Sequence, residues 1–136
     1  MAAYEQVSAV GRFIRTIKDC AWCRVRHLKF SYYPKSLMVG CLIAVTKSLN
    51  NEIGMSSLID EYSPFTLIIG QPVQTHKQLV ELSYGDYVYI HTKDISNTMD
   101  SRTIPAISLY PSGNLQQGWK FMSLNTRREV HRKLWK

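Results

Sequence analysis

Between Thr103 and Trp135 the chain reads TIPAISLYPSGNLQQGWKFMSLNTRREVHRKLW, and turn residues cut this stretch into pieces too short for helices. Ile104, Ile107 and Leu109 form a short apolar run. Pro111-Ser112-Gly113-Asn114 follows as a turn cluster, because proline presets one φ and Gly or Asn accepts φ > 0. Trp119 and Phe121 then alternate with Lys120, the period of a half-buried strand. Asn125-Thr126 interrupts that run, and Val130 to Trp135 begins another. Upstream, Asp86 to His91 is a fourth β-prone run. Short strands joined by tight turns predict a small antiparallel barrel or a curled sheet.

The first part of the chain follows a different period. Residues 7–30 predict a helix, with Val10, Phe13, Ile14, Ile17 and Ala21 on one apolar face. Ser31 to Tyr33 end it, and Pro34 suits the first turn of a second helix. Leu37, Met38, Cys41, Leu42, Val45 and Leu49 give that helix its own apolar face, so the two read as a helical hairpin. Residues 51–62 read as a loop. Ser63 and Pro64 predict a short helix, with serine as N-cap and proline first, running to about Ile69 and stopping at Gly70. Residues 71–81 read as a linker. The expected class is therefore α+β: a helical region over 1–70, the linker, and a small β lobe over 82–136.

The net charge is +7, unevenly spread. Residues 1–30 hold six Lys/Arg against two acids, net +4; residues 31–100 are net −3; residues 101–136 hold seven against one, net +6. Two basic ends around an acidic middle point to a polyanion partner. An apolar content of 45% marks a globular chain. No run approaches the ~18 apolar residues of a membrane helix, and the first ten residues carry no signal-peptide core. Cys20, Cys23 and Cys41 read as reduced thiols of an intracellular protein, nuclear or cytoplasmic. Cys20, Cys23 and His27 would fall near one side of a helix, with Cys41 or His131 in reserve. A single C-x-x-C is weak evidence for zinc, which usually draws on two such pairs, and these thiols read as structural. No metal or other cofactor is expected. No Ser/His/Asp set, phosphate loop or carboxylate pair stands out.

LYPSGNLQQGWKFMSLNTRREVHRKLW resembles the small SH3-like barrel that follows the integrase core in copia-type retrotransposon Gag-Pol polyproteins. The matched positions include Leu109, Pro111, Ser112, Gly113, Asn114, Gln116, Trp119, Phe121, Ser123, Leu124, Thr126 and Arg128. Ser63-Pro64-Phe65-Thr66-Leu67 with Gly70, and Tyr84 to Val88, also resemble segments of those polyproteins. Arg12 to Lys18 resembles the last helix of the RNase H-like integrase core. In that family a glutamate before the arginine is the final carboxylate of the D,D,E site. Here the position is Gly11, which offers no oxygen to a divalent metal. The other two carboxylates of the family site would precede Met1. The resemblance therefore implies no integrase activity in this chain. Arg127 stands where the family turn has glycine, and a positive φ there would cost about 1 kcal/mol.

Three readings follow. The first is a non-catalytic integrase-region remnant, ancestrally part of DNA integration, that keeps sequence-independent nucleic-acid binding, DNA before RNA. Arg12, Arg15, Lys18, Arg24 and Arg26 on the first helix are its phosphate contacts, with Arg127, Arg128, Arg132 and Lys133 near the last hairpin. Trp119 and Tyr110 are candidates for base stacking, although a strand aromatic is more often core. The second reading is a non-enzymatic protein-interaction module, with a homodimer through the helix faces. The third is a decayed fragment without selected function.

Overall fold

The computed structural model describes residues 2–52, 62–70, 81–92, 99–113 and 118–136, the side chains of residues 2–7 excepted. In chain order the elements are α1 (Ala2–His27), α2 (Lys35–Asn51), α3 (Pro64–Ile69), β1 (Tyr87–His91), β2 (Thr103–Pro111), β3 (Trp119–Ser123) and β4 (Glu129–Arg132). The class is α+β, and the four strands form one antiparallel sheet in sequential order.

α1 begins earlier than its apolar period predicts, over a stretch rich in helix-favouring Ala, Glu and Gln. It also ends three residues sooner. The Tyr33 hydroxyl donates to the carbonyls of Val25 (3.2 Å) and Leu28 (3.3 Å), which satisfies helix-end acceptors. Leu28 then turns onto Gly85, where a Cβ would collide with its Cδ2 and where φ is +91°. Arg24, Arg26 and His27 occupy the last turn, where cations complement the helix dipole.

α2 follows Pro34, which sits at the N-cap and accepts from the amides of Leu37 and Met38. Its buried side differs from the predicted apolar face. Leu37, Cys41 and Val45 are buried as expected, but Met38 and Leu42 are exposed while Gly40 and Ala44 are buried. The reason is that α2 is covered on two sides. Cys41 and Val45 pack on Ala21 and Val25 of α1, whereas Leu37 packs on Ile107, Leu109 and Met122 of the sheet. A Cβ on Gly40 would lie 3.0 Å from Leu109 Cδ2, so the small residue lets the helix approach the strand. α3 matches its sequence signals. Ser63 Oγ accepts from the Thr66 amide, Pro64 opens the helix, and Gly70 closes it at φ 71°.

The two faces of the sheet have separate cores. One face supports α2. The other buries Val88, Ile90, Ala106, Trp119 and Phe121, with Trp135 against both aromatic rings. The predicted closed barrel is not formed: the sheet stays open between β4 and β1. The chain bends at Lys133, so β4 pairs only with β3, and just the last residues, Trp135 bridged to Ile90 and Lys136 hydrogen-bonded to Tyr89, reach across to β1. A final strand over Val130–Trp135 is thus cut to Glu129–Arg132. In the β3–β4 turn Arg127 has φ 55°, a left-handed conformation that costs a side chain about 1 kcal/mol. Its amide donates to the Ser123 carbonyl at 2.8 Å. The predicted linker lies outside the described residues apart from Glu81.

Candidate nucleic-acid interface

The predicted phosphate contacts fall into groups on different elements. Arg12, Arg15, Lys18 and Arg26 are exposed along α1. Arg24 differs from them: it is half-buried, and its guanidinium donates to Ser48 Oγ of α2 at 2.8 Å. That contact draws it between the helices and away from the surface row. Arg127 and Arg128 are exposed in the β3–β4 turn. Arg132 lies at the far end of β4, roughly 13 Å along the strand from Arg128 at ~3.3 Å per residue. Arg132 is half-buried, and its guanidinium donates to the carbonyls of His91 (2.9 Å) and His131 (2.8 Å). Lys133 is exposed at the bend. The only ion pair among the described residues joins Lys120 to Glu129 at 2.9 Å. The exposed cations of α1 and of the turn therefore face solvent without a carboxylate partner among those residues.

Of the two aromatic candidates, Trp119 takes the core role that a strand aromatic more often has. Trp119 is 2% exposed and belongs to the sheet core, with no ring face to offer. Tyr110 is half-buried; Lys47 Nζ sits 4.9 Å from its ring centroid, and its hydroxyl donates to Glu129 at 3.3 Å. The same Lys47 ammonium donates to the Pro111 carbonyl at 2.6 Å. Burial, then Lys120 nearby, lowers its pKa.

The exposed aromatics lie elsewhere. Tyr87 (56% exposed) and Tyr89 (46%) project from β1 with ring centroids 5.3 Å apart in an edge-to-face pair. His91 follows on the same face, while Val88 and Ile90 point into the core. The signal is present in the sequence as Tyr-Val-Tyr-Ile-His, whose alternation puts both tyrosines on one side. A β-prone reading of that run identifies the strand without saying which side stays uncovered.

A cleft of about 530 Å³ opens beside α1 and α2 at the base of the sheet, with Arg24, His27, Ser48, Glu52, Tyr84 and Trp119 among its walls. Its charge is mixed, since Glu52 opposes Arg24 and His27, so it is not a site tuned for anions. Cys20 is half-buried and Cys23 exposed, and His27 Nδ1 lies 2.7 Å from the Cys23 carbonyl. Among the described residues no group of three or more His, Cys, Asp or Glu side chains is placed to hold a metal ion. Gly11 lies in the first half of α1 with nothing within 4 Å of the position a Cβ would take. Among the described residues no helix is long and apolar enough to cross a membrane.

No family model matches this chain, and no curated protein or solved structure matches it either.

Proposed function

We propose that the chain is a non-catalytic remnant of a copia-type retrotransposon integrase region. In this reading α1 and α2 descend from the end of the RNase H-like core, and the sheet descends from the SH3-like domain. What it keeps is sequence-independent nucleic-acid binding, to DNA in preference to RNA, in the nucleus or cytoplasm. The observation that carries the binding is the set of exposed cations on α1, Arg12, Arg15, Lys18 and Arg26, in a chain of net charge +7. The order of a helical hairpin followed by a small antiparallel sheet supports the ancestry, as does the motif spacing from Leu109 to Arg128. Gly11 at the family's carboxylate position supports the loss of strand transfer, because a glycine supplies no ligand to a catalytic metal.

Fluorescence anisotropy on labelled duplex DNA across a salt series tests this reading. Binding should fall linearly in log–log form, as expected when cations displace condensed counterions. Replacing Arg127, Arg128, Arg132 and Lys133 together by alanine should weaken binding and flatten the slope. An unchanged salt series for that variant removes those four residues from the interface.

A second reading has its own observation. Val10, Phe13 and Ile14 on α1, and Leu67, Ile68 and Ile69 on α3, are exposed. Such faces suit a protein-interaction module or a homodimer. A dimer by light scattering, together with no affinity for DNA, favours this second reading.

A further inference from the structure

We infer that the outer face of β1 is a contact surface for single-stranded nucleic acid, with Tyr87 and Tyr89 as stacking platforms and the C-terminal cations as the backbone clamp. The inference rests on the nucleic-acid reading above, narrows it to a strand type, and adds Tyr87, Tyr89 and Lys136 to its contacts.

The argument begins with register. Tyr89 stands opposite Pro105, and His91 opposite Thr103, across β1 and β2. On the other side of β1, Tyr89 and Lys136 exchange both backbone hydrogen bonds, at 2.8 and 2.9 Å. Residues paired in that way in an antiparallel arrangement project to the same face. Pro105, Tyr89 and Lys136 therefore form one row across the sheet, with an exposed ring between a flat proline and an exposed ammonium. The last helix-covered position of this face is Ile107, opposite Tyr87 and packed with Leu37 of α2. The tyrosines begin where the helix stops.

Charge then selects the partner. At the His91 end, Lys136 stands on the exposed row and Lys133 is exposed at the bend, while Arg132, opposite Trp119 and engaged by the His91 and His131 carbonyls, holds the bend against β1. At the Tyr87 end, the contact of Leu28 with Gly85 brings the close of α1 to the start of β1, and Arg26 and Lys29 flank Leu28 in exposed positions. The acids nearest in sequence are Asp86 and Asp94, with Glu81 next. Asp86 is occupied, since its Oδ2 accepts from the Ser83 amide at 2.7 Å. Cations at both ends of an exposed aromatic pair match a polyanion that carries planar groups. In a duplex those planes are stacked inside and unavailable; in a single strand they are free to stack on tyrosine, whatever the base.

The test uses the full chain and two labelled probes, oligothymidylate of about 20 nucleotides and a duplex of equal length, read by anisotropy at low salt. The native chain should bind the single strand more tightly than the duplex. Tyr87→Ala with Tyr89→Ala should weaken oligothymidylate binding at least about tenfold, with duplex affinity little changed. Tyr87→Phe with Tyr89→Phe keeps the rings and should retain native affinity within about threefold. If the alanine pair loses its cooperative melt by circular dichroism, the single substitutions carry the same comparison. Native affinity in the alanine variants overturns the strip while leaving the broader nucleic-acid reading intact. Failure of the native chain to bind either probe removes both. Sedimentation gives the remaining outcome: a native dimer that the alanine pair dissolves makes this face an interface between copies and overturns the inference.

Discussion

The first and last halves of α1 carry the same apolar spacing, yet only the last half is covered. Ala21 and Val25 are buried against Cys41 and Val45, whereas Val10, Phe13 and Ile14 are each about half exposed. The difference is geometric. α1 has 26 residues and α2 has 17, so at 1.5 Å per residue α1 is longer by roughly 13 Å. The pairing starts at the Tyr33 turn that joins the two helices, so the excess falls at the start of α1. The sheet shows the opposite situation. It has two faces, and each finds a partner over its central strands, α2 on one side and its own curl with Trp135 on the other. Amphipathic patterning states a tendency to be covered; it does not supply the cover.

The largest effect should come from the residue that joins helix to sheet. Leu37→Ala removes a side chain that is 1% exposed and touches Ile107, Leu109 and Met122. Urea unfolding should show a loss of about 2–5 kcal/mol. A loss below about 1 kcal/mol would mean that the sheet is stable without its helical cover.

A smaller effect is expected at Tyr84, whose hydroxyl donates to the Leu37 carbonyl at 2.7 Å. Tyr84→Phe should cost about 1 kcal/mol near neutral pH. It should also change the alkaline limb of stability. Burial first, and Cys41 next, raise the folded pKa of this phenol above its ordinary value of 10.0. The unfolded chain then ionises before the folded one, so the contribution is complete below pH 10 and is lost as pH rises above it. Melting temperatures from pH 8 to pH 11 should fall less steeply for the phenylalanine variant. Parallel curves would contradict the burial of this hydroxyl.

The smallest effect is predicted for the start of α1. Val10→Ser, Phe13→Ser and Ile14→Ser should each change stability by less than about 0.5 kcal/mol. A cost like that of Leu37→Ala, especially one that grows with protein concentration, would show that a second copy covers this face.

Much of the local structure was readable from residue types, because local chemistry decides it. Ser63, Pro64 and Gly70 state the start and stop of α3, and the structure uses each in that role. The strand positions of Tyr87, Trp119 and Phe121 follow from alternation. The positive φ of Arg127 was not legible, since nothing in Thr-Arg-Arg asks for a left-handed residue. The interface was less legible. Arg24 belongs to the same basic row as its neighbours in sequence, but Ser48 pulls it inward. Trp119 and Tyr87 are both strand aromatics, and only packing separates the buried one from the exposed one.

The sequence by itself determined the α+β class, the element types, the cap of α3 and the uneven positive charge, since each depends on neighbours a few residues away. The tertiary structure decided which side of α2 is buried, because Gly40 and Ala44 matter only once Leu109 is beside them. It left the sheet open, because closure depends on how far the chain beyond Lys133 reaches back to Ile90. It also left Tyr87 and Tyr89 uncovered, because α2 reaches Ile107 and stops there. Each of these outcomes rests on a contact between residues far apart in the chain, and such contacts carry no local signature.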